Sequence, residues 1–199
     1  MIKVILFDIG GVYCKGQAMD FLGKGAKYLG LDPVKFVRGE QPCINIEWNK
    51  GKLSLKEMFE SVFNIGLNDE QVDDLRKMYV SNWTVDNKIV EFVMELKKNY
   101  VVAVLSNSDP VVSGNLEKNG YYKLFDFLVL SHRLGFVKPD DEIYKYSIVK
   151  SKVNADEILF IDDQEVNISA AQRNGMKGVV FKDEEQLKVE LRNFDIKLD

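Results

Sequence analysis

The chain opens on an unbroken apolar run, Val4–Phe7, and similar runs recur at Val101–Leu105, Phe127–Leu130, Ile158–Ile161 and Gly178–Phe181. Each is short, apolar on both alternating faces and rich in β-branched residues. Runs of this kind, separated by stretches with helical spacing, mark parallel strands buried on both sides. Helix starts fall between them. Asp109-Pro110 supplies an N-cap and a proline for the first helical position just after the second run. Asp183, with Gln186 three residues on, has the shape of a capping box for a last helix.

The stretch from about Cys14 to Trp83 reads differently. It offers no strand pattern but several helix starts: Asp32-Pro33, Ser54 with Glu57, and Asn68 with Gln71. Met58, Phe59, Val62 and Phe63 recur at helical spacing. The pattern predicts an α/β fold with a Rossmann-like parallel-sheet core over residues 1–13 and 86–199. An all-α helical cap is predicted as an insert over residues 14–85, with crossings near 13–18 and 82–86. No repeat, low-complexity segment or long linker interrupts this plan.

Composition narrows the partners. With 46% hydrophobic and 29% charged residues over 199 positions, the balance is that of a soluble globular chain. The net charge of −4 provides no basic field to gather nucleic acid or an anionic membrane surface, so any anion must be held by a local site. Cys14 and Cys43 are the only cysteines and lack metal-ligand spacing, which suits reduced thiols. The apolar start is too short for a signal peptide, and no stretch approaches a membrane span, so a cytoplasmic location is expected.

The candidate chemistry lies at the strand ends. Asp8-Ile9-Gly10-Gly11 follows the first run, placing a carboxylate and flexible backbone where open α/β sheets bind ligands. Ser106-Asn107-Ser108-Asp109 ends the second run and opens a helix. Its hydroxyl and amide groups meet the positive end of the helix dipole, although ordinary capping accounts for Asp109. Lys138-Pro139 stands in a loop after Phe136, where the proline would stiffen the backbone and turn the lysine inward. Asp162-Asp163, with Asn167 beyond, ends another run. Adjacent carboxylates after a buried strand require a cation or donors, and such oxygen ligands suit Mg²⁺.

Taken in order, these four segments resemble the haloacid dehalogenase (HAD) superfamily, in its branch with a helical (C1-type) cap after the first strand. Val104-Leu105-Ser106-Asn107, Val137-Lys138-Pro139 leading into Ile143-Tyr144, and Trp48, Gly51 and Ser54 in the cap carry the same resemblance. It implies a Mg²⁺-dependent phosphatase in which Asp8 attacks a small phosphate monoester, such as a sugar phosphate, forming an aspartyl-phosphate that water hydrolyses. Asp8, the Gly10 carbonyl and Asp163 would hold the metal, with Asp162 acting through a bound water. Ser106, the backbone near Asn107 and Lys138 would hold the phosphoryl oxygens, and Lys138 would also offset the clustered carboxylates.

One position departs from that family's usual form. Two residues after the nucleophile a second Asp commonly serves as general acid, but this chain has Gly10. General acid catalysis contributes roughly a hundred- to ten-thousand-fold. The absence favours slow turnover or easily departing leaving groups, such as the anomeric hydroxyl released by the similar bacterial sugar-1-phosphate phosphatase-like branch. It argues against a mutase. A metal-independent 2-haloacid dehalogenase and a catalytically weak binding protein are the competing readings. The acidic pair opposes the first, and the retained charged residues oppose the second. His132 reads as a surface or packing residue, and Cys14, Phe21 and Trp48 read as packing residues. Asp73-Asp74 and Glu184-Glu185 read as solvated helix faces.

Overall fold

The computed structural model describes residues 1–16, 18–37 and 44–198; Cys43 lies outside them. In chain order the elements begin with β1 (Val4–Phe7), β2 (Cys14–Lys15), α1 (Ala18–Tyr28), α2 (Pro33–Val37) and α3 (Ile44–Asn49). Next come α4 (Leu55–Phe63), α5 (Asp69–Ser81), β3 (Thr84–Val85), α6 (Asn87–Leu96), β4 (Val101–Ser106) and α7 (Pro110–Lys118). The chain closes with β5 (Leu128–Leu130), α8 (Ser131–Leu134), α9 (Asp141–Ser151), β6 (Ile158–Asp162), α10 (Glu165–Arg173), β7 (Lys177–Val180) and α11 (Glu184–Arg192).

The five apolar runs form one sheet of order β5-β4-β1-β6-β7, and every strand pair in it is parallel. Successive side chains alternate between two apolar layers. Ile5, Phe7, Val104 and Ile161 face one layer; Val4, Leu6, Leu105 and Phe160 face the other. Burial on both sides explains why the runs carry no polar alternation, and each such side chain contributes about 1.5–3 kcal/mol.

Register fixes what emerges at the carboxyl edge. Phe7 pairs with Val104 on one side and Ile161 on the other. Asp8 and Asp162, each one residue further, therefore come level, and Ser106 lies one step beyond Leu105. The expected α/β architecture is present, with strand limits shifted by a residue: β4 and β6 run on to include Ser106 and Asp162.

Between β2 and β3 the described chain is helical, as its capping signals predict. Ser54 and Glu57 bond reciprocally at 3.2 and 2.8 Å, and Asn68 and Gln71 do so at 2.9 and 3.0 Å. The predicted box at Asp183 forms only in part. Asp183 accepts from the Gln186 N–H at 2.8 Å, but the Gln186 side chain takes the N–H of Lys182 instead. The helices enclose an aromatic core in which Phe21 lies 5.4 Å from Phe59 and 5.0 Å from Tyr79, centroid to centroid.

One expectation is corrected. The sequence predicts no strand between residues 14 and 83, yet Cys14–Lys15 pairs antiparallel with Thr84–Val85 where the insert meets the sheet. Two-residue strands are too short for a period-two pattern to register. No described helix is long and apolar enough to cross a membrane.

Candidate active site

Three charged side chains meet at the carboxyl edge of the sheet. Lys138 Nζ lies 2.9 Å from Asp8 Oδ1 and 2.6 Å from Asp162 Oδ2. All three residues are buried. Asp8 Oδ1 also accepts the Ile9 N–H at 2.7 Å. Asp162 is held more fully: Oδ1 accepts the Gln164 N–H at 2.8 Å, and the Asn167 amide donates to both oxygens at 3.0 and 3.1 Å.

The ion pairing decides the charges. Burial pushes the Asp8 carboxyl up to about 6, Lys138 opposes the rise, and the neighbouring Asp162 adds to it. Burial alone would lower the Lys138 ammonium, but Asp8 and Asp162 overcome this and hold it above its usual value. The lysine is therefore a fixed cation shared by two carboxylates, flanked by the Phe160 ring at 5.3 Å.

The loop carrying Lys138 is tied to the end of β4. The Asn107 side chain accepts the Lys138 N–H at 2.7 Å and donates to the Lys138 carbonyl at 2.9 Å. Its side-chain amide is thereby a clamp on the lysine backbone, and the phosphate contact expected near Asn107 is left to the backbone there. Buried Ser106 lies beside Asp8 and partly offsets the rise that burial imposes on its carboxyl. Ser108 turns away, its N–H donating to Ser131 Oγ at 2.9 Å and its hydroxyl facing His132 Nδ1 at 3.0 Å.

Asp163 completes an acidic group. Carboxylate oxygens of Asp8, Asp162 and Asp163 all lie within 4.8 Å of one another. Gly11 makes room for this: it sits at φ +75°, and a Cβ there would collide with the Asp163 carboxylate. Gly10 is different. A Cβ at Gly10 would make ordinary contact with the Trp83 ring, 3.5 Å from Cζ3. The turn between them is closed by Cys14 N–H to Ile9 C=O at 2.7 Å and Gly11 N–H to Cys14 C=O at 3.0 Å. An all-oxygen set of this size fits a hard divalent ion such as Mg²⁺.

The residues set aside on sequence grounds lie apart from this cluster. Cys14 is buried, and burial pushes its thiol up to about 12, so it is an inert packing group. Phe21 and Trp48 are buried in the apolar core. Half-buried His132 pairs with Ser108, and burial lowers its ring pKa. Asp73 and Asp74 pair with Arg76 and Lys77 on an exposed helix face, and Glu184 and Glu185 pair with Lys188. Sequence reasoning assigned no role to Asn167 or Trp83. The five-residue step from Asp162 to Asn167 across a strand–helix turn is the signal that could have found Asn167; Trp83 left none.

The sequence profile of the haloacid dehalogenase-like hydrolase family matches residues 49–181. D-ribitol-5-phosphate phosphatase of Bacteroides thetaiotaomicron is 29% identical over 191 residues, covering 89% of this chain and 90% of that protein. A sesquiterpene phosphatase of Aspergillus oryzae is 25% identical over 197 residues, covering 96% of this chain and 95% of that protein. Among solved structures, a HAD family enzyme of B. thetaiotaomicron superposes with a TM-score of 0.80 at 22% identity, covering 94% of this chain and 99% of that one. That crystal contained an aspartate-to-alanine variant with magnesium and inorganic phosphate.

Proposed function

This chain belongs to the haloacid dehalogenase-like hydrolases, and from that premise we propose that it is a Mg²⁺-dependent phosphatase acting on a small phosphate monoester of the sugar- or polyol-phosphate kind. The observation that carries the reading is the buried Asp8–Lys138–Asp162 group with Asp163 alongside. Asp8 is the nucleophile: its oxygen attacks phosphorus, the ester oxygen departs, and water then hydrolyses the aspartyl-phosphate. The phosphatase activities of the B. thetaiotaomicron and A. oryzae relatives support phosphoryl transfer, and the magnesium and phosphate bound by the structural relative support the cofactor.

Asp8, Asp163 and the Gly10 carbonyl would hold Mg²⁺, with Asp162 acting through a water; the ion would supply positive charge to the phosphoryl oxygens. Asp162 is saturated by protein donors, which agrees with an indirect role. Lys138 orients Asp8 through Oδ1 and neutralises incoming charge, while Ser106 offers a hydroxyl to the phosphoryl group. Residues 14–85 act as a cap that excludes bulk water and limits the substrate to small esters.

The reading is tested by phosphate release from sugar phosphates, polyol phosphates, nucleotides and nitrophenyl phosphate, with Mg²⁺ or a chelator. Release from small esters that stops on chelation is expected. Chloride release from 2-chloropropionate, with no phosphate release from any ester, would replace this reading with the dehalogenase one.

Two variants test the assigned roles. Asn107→Ala removes both bonds to the Lys138 backbone and is expected to lower kcat about a hundred-fold through misplacement of the ammonium. A rise in KM with kcat unchanged would instead make the side chain a substrate contact. Gly10→Asp is expected to accelerate esters with poor leaving groups more than nitrophenyl phosphate, and further when Trp83→Ala removes the ring beside the new side chain. Equal or reduced rates for both esters in both backgrounds would reject the missing-acid account.

A further inference from the structure

Two polar bridges run from the helical insert to the loop after β4. On one flank the Tyr79 hydroxyl, on α5, donates to Asp109 Oδ2 at 2.8 Å. The other Asp109 oxygen accepts the N–H groups of Val111 and Val112 at 2.8 and 2.9 Å, capping α7. On the other flank, Ser131 Oγ donates to the Asn49 carbonyl at the end of α3 at 2.6 Å and accepts the Ser108 N–H.

The Tyr79–Asp109 pair is not a rim contact. Tyr79 is 8% and Asp109 5% exposed, so a carboxylate deprived of this donor would stay buried with an oxygen unmet. The two Asp109 oxygens divide their work: Oδ1 caps the helix without help, and Oδ2 depends on the insert. The Tyr79 ring is fixed in that insert by edge contacts with Phe21 at 5.0 Å and Phe59 at 6.3 Å. Tyr79 therefore moves with the helices, whereas Asp109 moves with α7 and with Ser106 three residues before it.

We propose that Tyr79 is a positioning residue that, through Asp109, couples the seating of the helical insert to the register of the Ser106 loop. The loop is held in place for a phosphoryl group when the insert is seated and loosens when it lifts. The inference rests on the proposed phosphate contact of Ser106. The hydroxyl proton of Tyr79 is spent on Asp109, so its effect reaches the substrate only through the loop.

Tyr79→Phe tests this by deleting one hydroxyl. It is expected to lower kcat/KM for nitrophenyl phosphate about ten- to a hundred-fold and to weaken inhibition by inorganic phosphate by a similar factor. Amide exchange over residues 106–112 should accelerate together with that over residues 77–81. Asp109→Asn still caps the helix through its one oxygen and turns its NH2 to Tyr79, keeping the bridge with donor and acceptor exchanged, so it should retain most activity. Phe63→Leu thins the packing inside the insert while leaving the Tyr79–Asp109 bond in place, and should lower Tm with phosphate inhibition unchanged. If Tyr79→Phe behaves as Phe63→Leu does, the residue is merely structural and the proposal is overturned. If the wild-type protein releases no phosphate from any ester, the phosphatase reading fails, and exchange alone decides the coupling. Acceleration shared by both segments supports it, and acceleration confined to residues 77–81 rejects it.

Discussion

Replacing Asp8 by asparagine is expected to lower phosphate release by about four to six orders of magnitude, as loss of a nucleophile does elsewhere, while leaving the fold intact. The amide keeps an oxygen for the Ile9 N–H and for Lys138 but cannot attack phosphorus. Stability should not fall, because the native carboxylate is itself costly. Burial raises it from 3.8 to about 6, so in the ion-free protein the folded state binds more protons than the unfolded state between those values. Stability of the wild type therefore declines as pH rises through that window and levels off above it. The variant lacks this slope, and thermal unfolding between pH 4 and 7 with chelator should show it at least as stable at neutral pH. Residual turnover near the wild-type rate would remove Asp8 from the mechanism.

Lys138→Met is expected to be the most destabilising single change at the site. The ammonium is the ion-pair partner of both Asp8 and Asp162, each within 3 Å. Removing it leaves two buried carboxylates repelling one another, which costs about 3–5 kcal/mol. For a chain of this length that is a Tm loss on the order of 6–20 °C. Without the opposing ammonium, Asp8 would hold its proton still more tightly in the folded than in the unfolded state, so acidification from pH 7 towards 4 should restore part of the stability. Added Mg²⁺ should also restore part of it by binding the folded form. A neutral-pH Tm equal to the wild type, independent of pH and metal, would contradict the electrostatic account of the site.

The strands and the main charged residues were legible because both follow local rules. A strand buried on both faces must be apolar throughout, and Val4–Phe7, Val101–Leu105 and Ile158–Ile161 declare this directly. A polar residue ending such a run, as Asp8, Ser106 and Asp162 do, has to emerge at the sheet edge. Helix starts at Ser54, Asn68 and Asp109 were readable because a cap is satisfied within three residues. What escaped depends on distant partners. Tyr79 and Asp109 are 30 positions apart, and nothing near either residue signals their hydrogen bond. The helix start at Asn107 suggests a backbone contact to phosphate, but nothing local signals that its side chain clamps a loop 31 residues on. Gly10 and Gly11 look alike in sequence, yet only Gly11 has no room for a side chain, and Trp83 beside Gly10 appears only when the insert folds back.

The covalent role of Asp8 can be read directly. Enzyme mixed with a turned-over phosphate ester and Mg²⁺ is quenched in acid and reduced with borohydride, which converts an acyl phosphate to the alcohol, and the peptide carrying Asp8 is then analysed by mass spectrometry. Conversion of Asp8 to homoserine, dependent on both substrate and Mg²⁺ and absent in Asp8→Asn, is the expected result. Sustained phosphate release with Asp8 unmodified and another carboxylate reduced in its place would contradict the account.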